Sequence, residues 1–357
     1  MLHAVIMAGG AGTRFWPASR RSRPKQFLSL TDGTPLLRAT FDRVAPLTSP
    51  NGLWIVTARD TAEATRRLLP ELPPGHVLAE PVGRDTAACA GYAATVVLHI
   101  DPDAVCVVLP ADHVIPDQEA VRDALSAGAA HVAEHGGLLT FGIRPTRPET
   151  GYGYLKLGRL HGTRRGHKIH VLDRFVEKPD LATARTYAAG SDYLWNSGMF
   201  AWRASDLLDE IARQLPLLAA GLDRIAAGLG SPGADALLAT VYPNLPRTSV
   251  DYGIMESARS AWTVPVDFQW SDVGAWPALA EVLPPDEDGN VRRGRVLALD
   301  SAGNVMIGDG PAIVAAGVED LVIVATPDAV LVIPQDQAQR VKEIVSHLAA
   351  AGWDDLL

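Results

Sequence analysis

Cations, carboxylates and glycines cluster at the ends of short apolar runs in this chain, and their types and spacing suit the handling of a polyphosphate. The first cluster is Ala8-Gly9-Gly10-Ala11-Gly12-Thr13-Arg14. Glycine lacks a Cβ, so the backbone N–H groups of such a loop can come close to phosphate oxygens. Arg14 adds a fixed cation and Lys25 another, eleven residues later. Two common glycine patterns fail here. The dinucleotide fingerprint would put Phe15 where a small residue is needed, and no window has P-loop spacing. Asp112, in Leu109-Pro110-Ala111-Asp112-His113, and Asp272, in Trp270-Ser271-Asp272-Val273-Gly274, are carboxylates suited to Mg2+, which takes one or two carboxylates together with phosphate oxygens. Asp112 reads equally as the cap of a helix starting near Ile115.

Further along, Phe175-Val176-Glu177-Lys178-Pro179 offers a second phosphate cation in Lys178 and an acceptor for sugar hydroxyls in Glu177. An exposed Glu–Lys pair is the plainer reading of that string. Asn196, in Trp195-Asn196-Ser197-Gly198, carries two donors and an acceptor, and Gly153 lies in Thr150-Gly151-Tyr152-Gly153-Tyr154. Arg20, Arg21 and Arg23 read as a solvated basic loop. His131 and His135 are four apart on a helical stretch, a common ligand spacing. The following Gly136-Gly137 explains them instead as cations near a capped helix C-terminus. His161, His167 and His170 lack ligand spacing, and no Ser-His-Asp or Cys-His set points to a covalent intermediate.

The elements that must hold these residues follow from apolar patterning. Ala4–Ala8, Leu53–Ala58, Ala104–Leu109 and Leu138–Ile143 are short, Val/Ile-rich and bounded by turn residues, as buried strands are. Leu36–Val44, Thr61–Leu69, Thr86–His99 and Gln118–His135 have helical length and spacing. Alternation of the two predicts an α/β fold: a Rossmann-like mixed, mainly parallel sheet with helices on both faces. Loops after its strands are then the place for chemistry. Lys168–Lys178 and Trp195–Arg203 read as added strands. After Pro284-Pro285 come short β pieces, Arg295–Leu299, Asn304–Ile307, Ala312–Ala315, Leu321–Ala325 and Ala329–Ile333, closed by a helix from Gln335 to about Ala351. The expected division is 1–284 and 285–357. With 357 residues, 47% hydrophobic and 20% charged, the chain has material for a sizeable core. A net charge of −9 argues against nucleic acid. Cys89 and Cys106 read as buried hydrophobes in a reducing compartment. The start of the chain lacks the pattern of a signal peptide and no run suits a membrane span, so a soluble cytoplasmic protein is expected.

The string from Gly9 through Arg14-Phe15-Trp16-Pro17 to Pro24-Lys25-Gln26 resembles the signature of the sugar-nucleotide pyrophosphorylase family, and Pro24-Lys25-Gln26-Phe27 looks like its mannose-1-phosphate guanylyltransferase branch. The motifs around Asp112, Gly153, Lys178, Asn196, Ser249–Glu256 and Asp272 follow in the family's order. The resemblance implies direct attack of mannose 1-phosphate on the α-phosphorus of GTP, with Mg2+ held by Asp112 and Asp272. Ala8, Gly9, Gly10, Gly12, Thr13, Arg14, Lys25 and Asp112 would then contact the nucleotide. Glu80-Pro81-Val82-Gly83-Arg84-Asp85-Thr86 resembles the segment near the base, where Glu80 or Asp85 can accept from guanine. Family members carry Asn where this chain has Asp85. Gly153, Glu177, Lys178 and Asn196 would hold the sugar phosphate, with Ser249–Glu256 as a wall beneath it. The tail resembles a short left-handed β-helix-like appendage, through which a homodimer is expected, and the chain leaves no room for the isomerase domain of some relatives. Competing readings are a guanylyltransferase for another manno-configured sugar phosphate such as a heptose, a non-catalytic nucleotide-sugar sensor, and a nicotinamide-dependent dehydrogenase.

Overall fold

The computed structural model describes residues 1–10 and 12–357; Ala11 of the first loop lies outside them. These residues form two compact units. One contains Met1–Gly9, Phe41–Ala111 and Ile115–Trp270, and the other Gly10–Thr40, Asp112–Val114 and Ser271–Leu357.

The first unit is built on nine strands: β1 (Leu2–Ala8), β2 (Leu53–Ala58), β3 (Val77–Glu80), β4 (Val105–Pro110), β5 (Leu138–Ile143), β6 (Tyr154–Arg164), β7 (His167–Val176), β8 (Tyr193–Arg203) and β9 (Ala261–Val266). Their order is β3-β2-β1-β4-β8-β5-β9-β7-β6. The stretch β3-β2-β1-β4 is parallel. β8 runs antiparallel to both β4 and β5, whereas β5 and β9 are parallel. Side chains alternate faces along a strand, and in β1 the successive residues Ala4, Val5 and Ile6 are all buried, as are Cys106, Val107, Val108 and Leu109 of β4. Both faces of the sheet are therefore covered, as expected of an α/β fold. The Ala-rich helix Asp85–Ile100 shares one core cluster with Val5, Cys106 and Val108. Both cysteines are buried free thiols. No helix among the described residues is long and apolar enough to cross a membrane.

Several elements left little trace in the apolar pattern. β3 is four residues long, β9 contains Pro265, and β6 carries Gly158 and Gly162 in a long, largely solvent-facing hairpin with β7. The helices Leu181–Ala189, Ala204–Gln214, Pro216–Gly228 and Ala234–Val241 fill a region where the sequence pattern marked only the two strands.

The second unit contains β10 (Val291–Arg293), β11 (Val296–Leu299), β12 (Val305–Gly308), β13 (Ile313–Ala316), β14 (Leu321–Ala325) and β15 (Val330–Pro334). β10-β12-β14 and β11-β13 pair in parallel between successive coils, and β15 closes antiparallel on β14. The tail's closing helix starts later than its sequence suggests: Gln335–Arg340 is 3-10 and the α-helix is Val341–Ala350. Two asparagines, each 1% exposed, link the coils. Asn290 Oδ1 accepts from Asn304 Nδ2 at 2.9 Å and from its backbone N–H at 3.0 Å. Asn304 Nδ2 also donates to the carbonyls of Ala302 and Val318, and its Oδ1 accepts from the Leu321 N–H. One amide thus meets backbone groups of two coils and the side chain of a third. Asn304→Ala removes the acceptor of the Leu321 N–H, and we expect a loss of about 2 kcal/mol, read as a lowered urea midpoint; an unchanged midpoint would show that the ladder contributes nothing.

Candidate functional site

The second unit gathers six of the sequence's candidates around one cavity. The first loop turns at Gly12, whose φ of 61° is left-handed. A Cβ there would lie 2.3 Å from Lys25 Cβ, so the position admits only glycine and brings Lys25 under the loop. The Gly12 carbonyl accepts from Ser19 Oγ at 2.8 Å and from the Phe15 N–H at 3.0 Å, which fixes the turn. Phe15 and Trp276 rings meet at 4.9 Å, and Trp276 Nε1 donates to the Trp16 carbonyl. Asp112 and Asp272 come together because Val114 and Ser271 exchange two backbone hydrogen bonds, of 2.9 and 3.1 Å.

Lys25 ties these pieces. Its ammonium donates to Asp112 Oδ2 at 2.9 Å and to the Asp272 carbonyl at 2.6 Å, and the residue is only 5% exposed. Burial pushes the Asp112 carboxyl up, but the charge and hydrogen bond of Lys25 and the charge of His113 outweigh it and hold the pKa below the ordinary value. Asp272 Oδ1 accepts from the Gly274 N–H at 3.1 Å, just past Val273 with its left-handed φ of 41°. The cavity, of about 300 Å3, is lined by Gly12, Thr13, Arg14, Lys25, Asp112 and Asp272, together with Phe15, His113, Gly274 and Lys342. Cations and loop N–H groups suit phosphate, and the all-oxygen pair of carboxylates fits a hard divalent cation completed by phosphate oxygens. Arg20 is structural: it pairs with Asp328 at 3.0 Å. Arg21, Arg23 and Gly10 are exposed.

In the first unit, β1 delivers Ala8, whose carbonyl accepts from Thr57 Oγ1, and Gly9, where a Cβ would come 3.1 Å from Glu80 Oε2. Glu80, at the end of β3, is 4% exposed and accepts from Tyr242 Oη at 2.5 Å. Burial raises its pKa to about 7, against the opposing Tyr242 hydrogen bond. Asp85 opens the helix Asp85–Ile100 with a φ of 65°. Asp and Asn tolerate that region better than other side chains, and Oδ1 accepts from the Thr86 N–H at 2.9 Å. Thr86 Oγ1 accepts from the Val250 N–H. Arg84 Nε is buried with no hydrogen-bond partner among the described residues.

Gly153, Glu177, Lys178 and Asn196 also meet in this unit. A Cβ on Gly153 would lie 2.7 Å from Glu177 Oε2, and the Gly153 carbonyl accepts from the Asn196 N–H at 2.8 Å. Lys178 has a left-handed φ of 47° and pairs with the Glu177 carboxylate. The Asn196 amide is fixed at both ends: Oδ1 accepts from Thr140 Oγ1 at 2.7 Å, and Nδ2 donates to Asp251 Oδ1 at 2.8 Å. Burial, then the nearby Glu177 charge, raises the Asp251 pKa to about 6. Glu256 accepts from the Glu177 N–H at 3.2 Å.

Sequence reasoning gave Ser249–Glu256 no sharper role than a wall; its Asp251 and Glu256 orient the residues that carry the polar contacts. It missed Thr140, Tyr242 and Lys342 altogether. The first two lie in apolar stretches and the third on an exposed helix far from any motif, so no local signal marked them.

Comparison with known proteins gives the family. The family model described as nucleotidyl transferase matches residues 3–289, and one described as MannoseP isomerase/GMP-like beta-helix domain matches 294–348. A mannose-1-phosphate guanylyltransferase of Klebsiella pneumoniae is 40% identical over 98% of this chain and 74% of its own. The xanthan biosynthesis protein XanB of Xanthomonas campestris is 41% identical over 98% of this chain and 73% of its own. A crystal structure from Thermus thermophilus, described as a "mannose-1-phosphate geranyltransferase", superposes with a TM-score of 0.87 at 40% identity, covering 98% of this chain and 99% of the other. With a family model spanning most of its length and relatives of 40% identity behind it, the chain belongs to the nucleotidyl transferase family.

Proposed function

We propose that this chain transfers the guanylyl group of GTP to α-D-mannose 1-phosphate, releasing pyrophosphate and GDP-mannose. The observation that carries the reading is the cavity in which Lys25 joins Asp112 to the Asp272 loop beside Arg14. A phosphate oxygen of the sugar phosphate attacks the α-phosphorus; the bond from that phosphorus to the bridging oxygen of the β-phosphate breaks, and pyrophosphate leaves with the electron pair. The attacking oxygen is already anionic, so the protein has charge to neutralise and groups to align rather than a proton to remove.

Arg14, Lys25 and the N–H groups of the first loop counter the triphosphate charge. Asp112 and Asp272 are the residues to hold Mg2+, which when bound neutralises phosphate oxygens and favours in-line geometry. Lys178 orients the acceptor phosphate, and Glu177 and Asn196, the latter locked by Thr140 and Asp251, take sugar hydroxyls. Glu80 or Asp85 accepts from the guanine N1–H and N2–H2. Leu297, Leu299, Val314, Val330 and Val332 form an exposed apolar set on β11, β13 and β15, which supports a homodimer made through this region of a cytoplasmic enzyme.

The direct test is pyrophosphate release with Mg2+, crossing GTP, ATP and UTP with mannose, glucose and heptose 1-phosphates. We expect release with GTP and mannose 1-phosphate. Release with a different sugar would move the substrate, and nucleotide binding without release would favour a sensor. Lys25→Ala and Asp272→Asn should each lower kcat by about 10^2–10^3 while the chain stays folded, and a near-normal rate in either variant removes that residue from the mechanism. For base reading, Glu80 accepts two donors only when ionised, which is above its pKa of about 7. With Glu80 as the reader, KM for GTP rises by about ten-fold for each pH unit below that value. Glu80→Gln abolishes the dependence and Asp85→Ala preserves it; the reverse pattern assigns the base to Asp85.

A further inference from the structure

Three imidazoles outside the nucleotide-handling residues converge in the first unit. His131 and His135 lie one turn apart at the end of the helix Gln118–His135, and His161 comes from β6. One ring nitrogen from each lies within 4.8 Å of one from the others. The ring centroids are 4.7, 5.1 and 4.9 Å apart. The glycine cap at Gly136 accounts for the helix ending at His135, but it does not account for His161, brought here by the register of the β6–β7 hairpin.

A second observation singles out His131. It is 1% exposed, yet its Nε2 has no hydrogen-bond partner among the described residues. Buried polar atoms almost always have one. Burial, reinforced by the charges of His135 and His161, lowers the His131 pKa to about 4. Trp262 walls one side, with its ring 4.8 Å from His131 and 4.7 Å from His161 and its Nε1 anchored on the Gly136 carbonyl. Two other charges border the cluster. Arg164 approaches His135 Nε2 at 3.4 Å but is paired with the Glu134 carboxylate, which itself lies 3.4 Å from the same nitrogen.

We propose that His131, His135 and His161 form a site for one divalent ion of borderline softness, such as Zn2+, Ni2+ or Co2+, distinct from the oxygen pair suited to Mg2+. Three imidazole nitrogens select such ions over Mg2+, with water completing a tetrahedron. Nitrogens on one tetrahedral zinc are about 3.3 Å apart, so the exposed rings of His135 and His161 close by rotation while the buried ring stays in place. The ion pins the β6–β7 hairpin to the end of the helix.

The test uses the full chain without an affinity tag, stripped by chelator and held in excess Mg2+. Titration with Zn2+ by calorimetry should show one site per chain, and Co2+ should give the visible ligand-field bands of a four-coordinate nitrogen site. His135→Gln and His161→Gln, both at exposed positions, should each weaken Zn2+ binding by more than about ten-fold and remove the Co2+ bands. Absence of a stoichiometric site, or binding that both variants leave unchanged, overturns the proposal.

Discussion

A buried lysine ammonium organises the cavity of the second unit. Lys25 is nearly free of solvent, and an isolated charge there would be strongly unfavourable. It is tolerated because Asp112 and the Asp272 carbonyl both accept from it and the Phe15 ring lies 5.5 Å from the ammonium. The same contacts bind three distant stretches of chain to one another. The demand also runs outward: Gly12 must lack a Cβ so that Lys25 can pass beneath the first loop, and Val114 must bridge to Ser271 so that the Asp112 carboxylate and the Asp272 carbonyl both reach the cation. A single ion pair thus accounts for the glycine and the turn geometry around it.

Two acidic groups of the first unit follow the opposite electrostatic principle. Asp251 and Glu80 are buried without a neighbouring cation strong enough to hold them fully charged, and their pKa values rise to about 6 and about 7. Each is kept in place by a neutral donor, Asn196 in one case and Tyr242 in the other. Such carboxyls suit neutral hydrogen-bonding partners, as sugars and bases are, whereas the cavity around Lys25 suits a polyanion. The histidine cluster belongs to neither scheme. It is a set of soft nitrogen donors, one of them fully enclosed, at the point where a helix end and a hairpin meet.

Sequence alone determined the α/β class and most strands of the parallel stretch, and it marked the glycine loop with its cations, because those features are local. A buried strand such as β1 or β4 is a continuous apolar run, and a glycine loop with Arg14 and Lys25 is legible within twenty residues. The motifs for Asp112, Lys178, Asn196 and Asp272 were readable one by one. Short or atypical elements such as β3 and β9 were not, since four residues or a proline fall below what periodicity resolves.

Tertiary structure decided which of those motifs share a cavity and what holds them. That the first loop belongs with the C-terminal coils, that Asp251 locks Asn196, that Tyr242 meets Glu80 and that Lys342 lines the cavity around Lys25 all depend on long-range pairing. His161 shows the reason most plainly. Spacing along the chain excluded it as a ligand, yet hairpin register carries it to within 4.8 Å of two rings some thirty residues away. Local sequence fixes a residue's chemistry and its element, but neighbours across a sheet are set by register, and no local pattern encodes that.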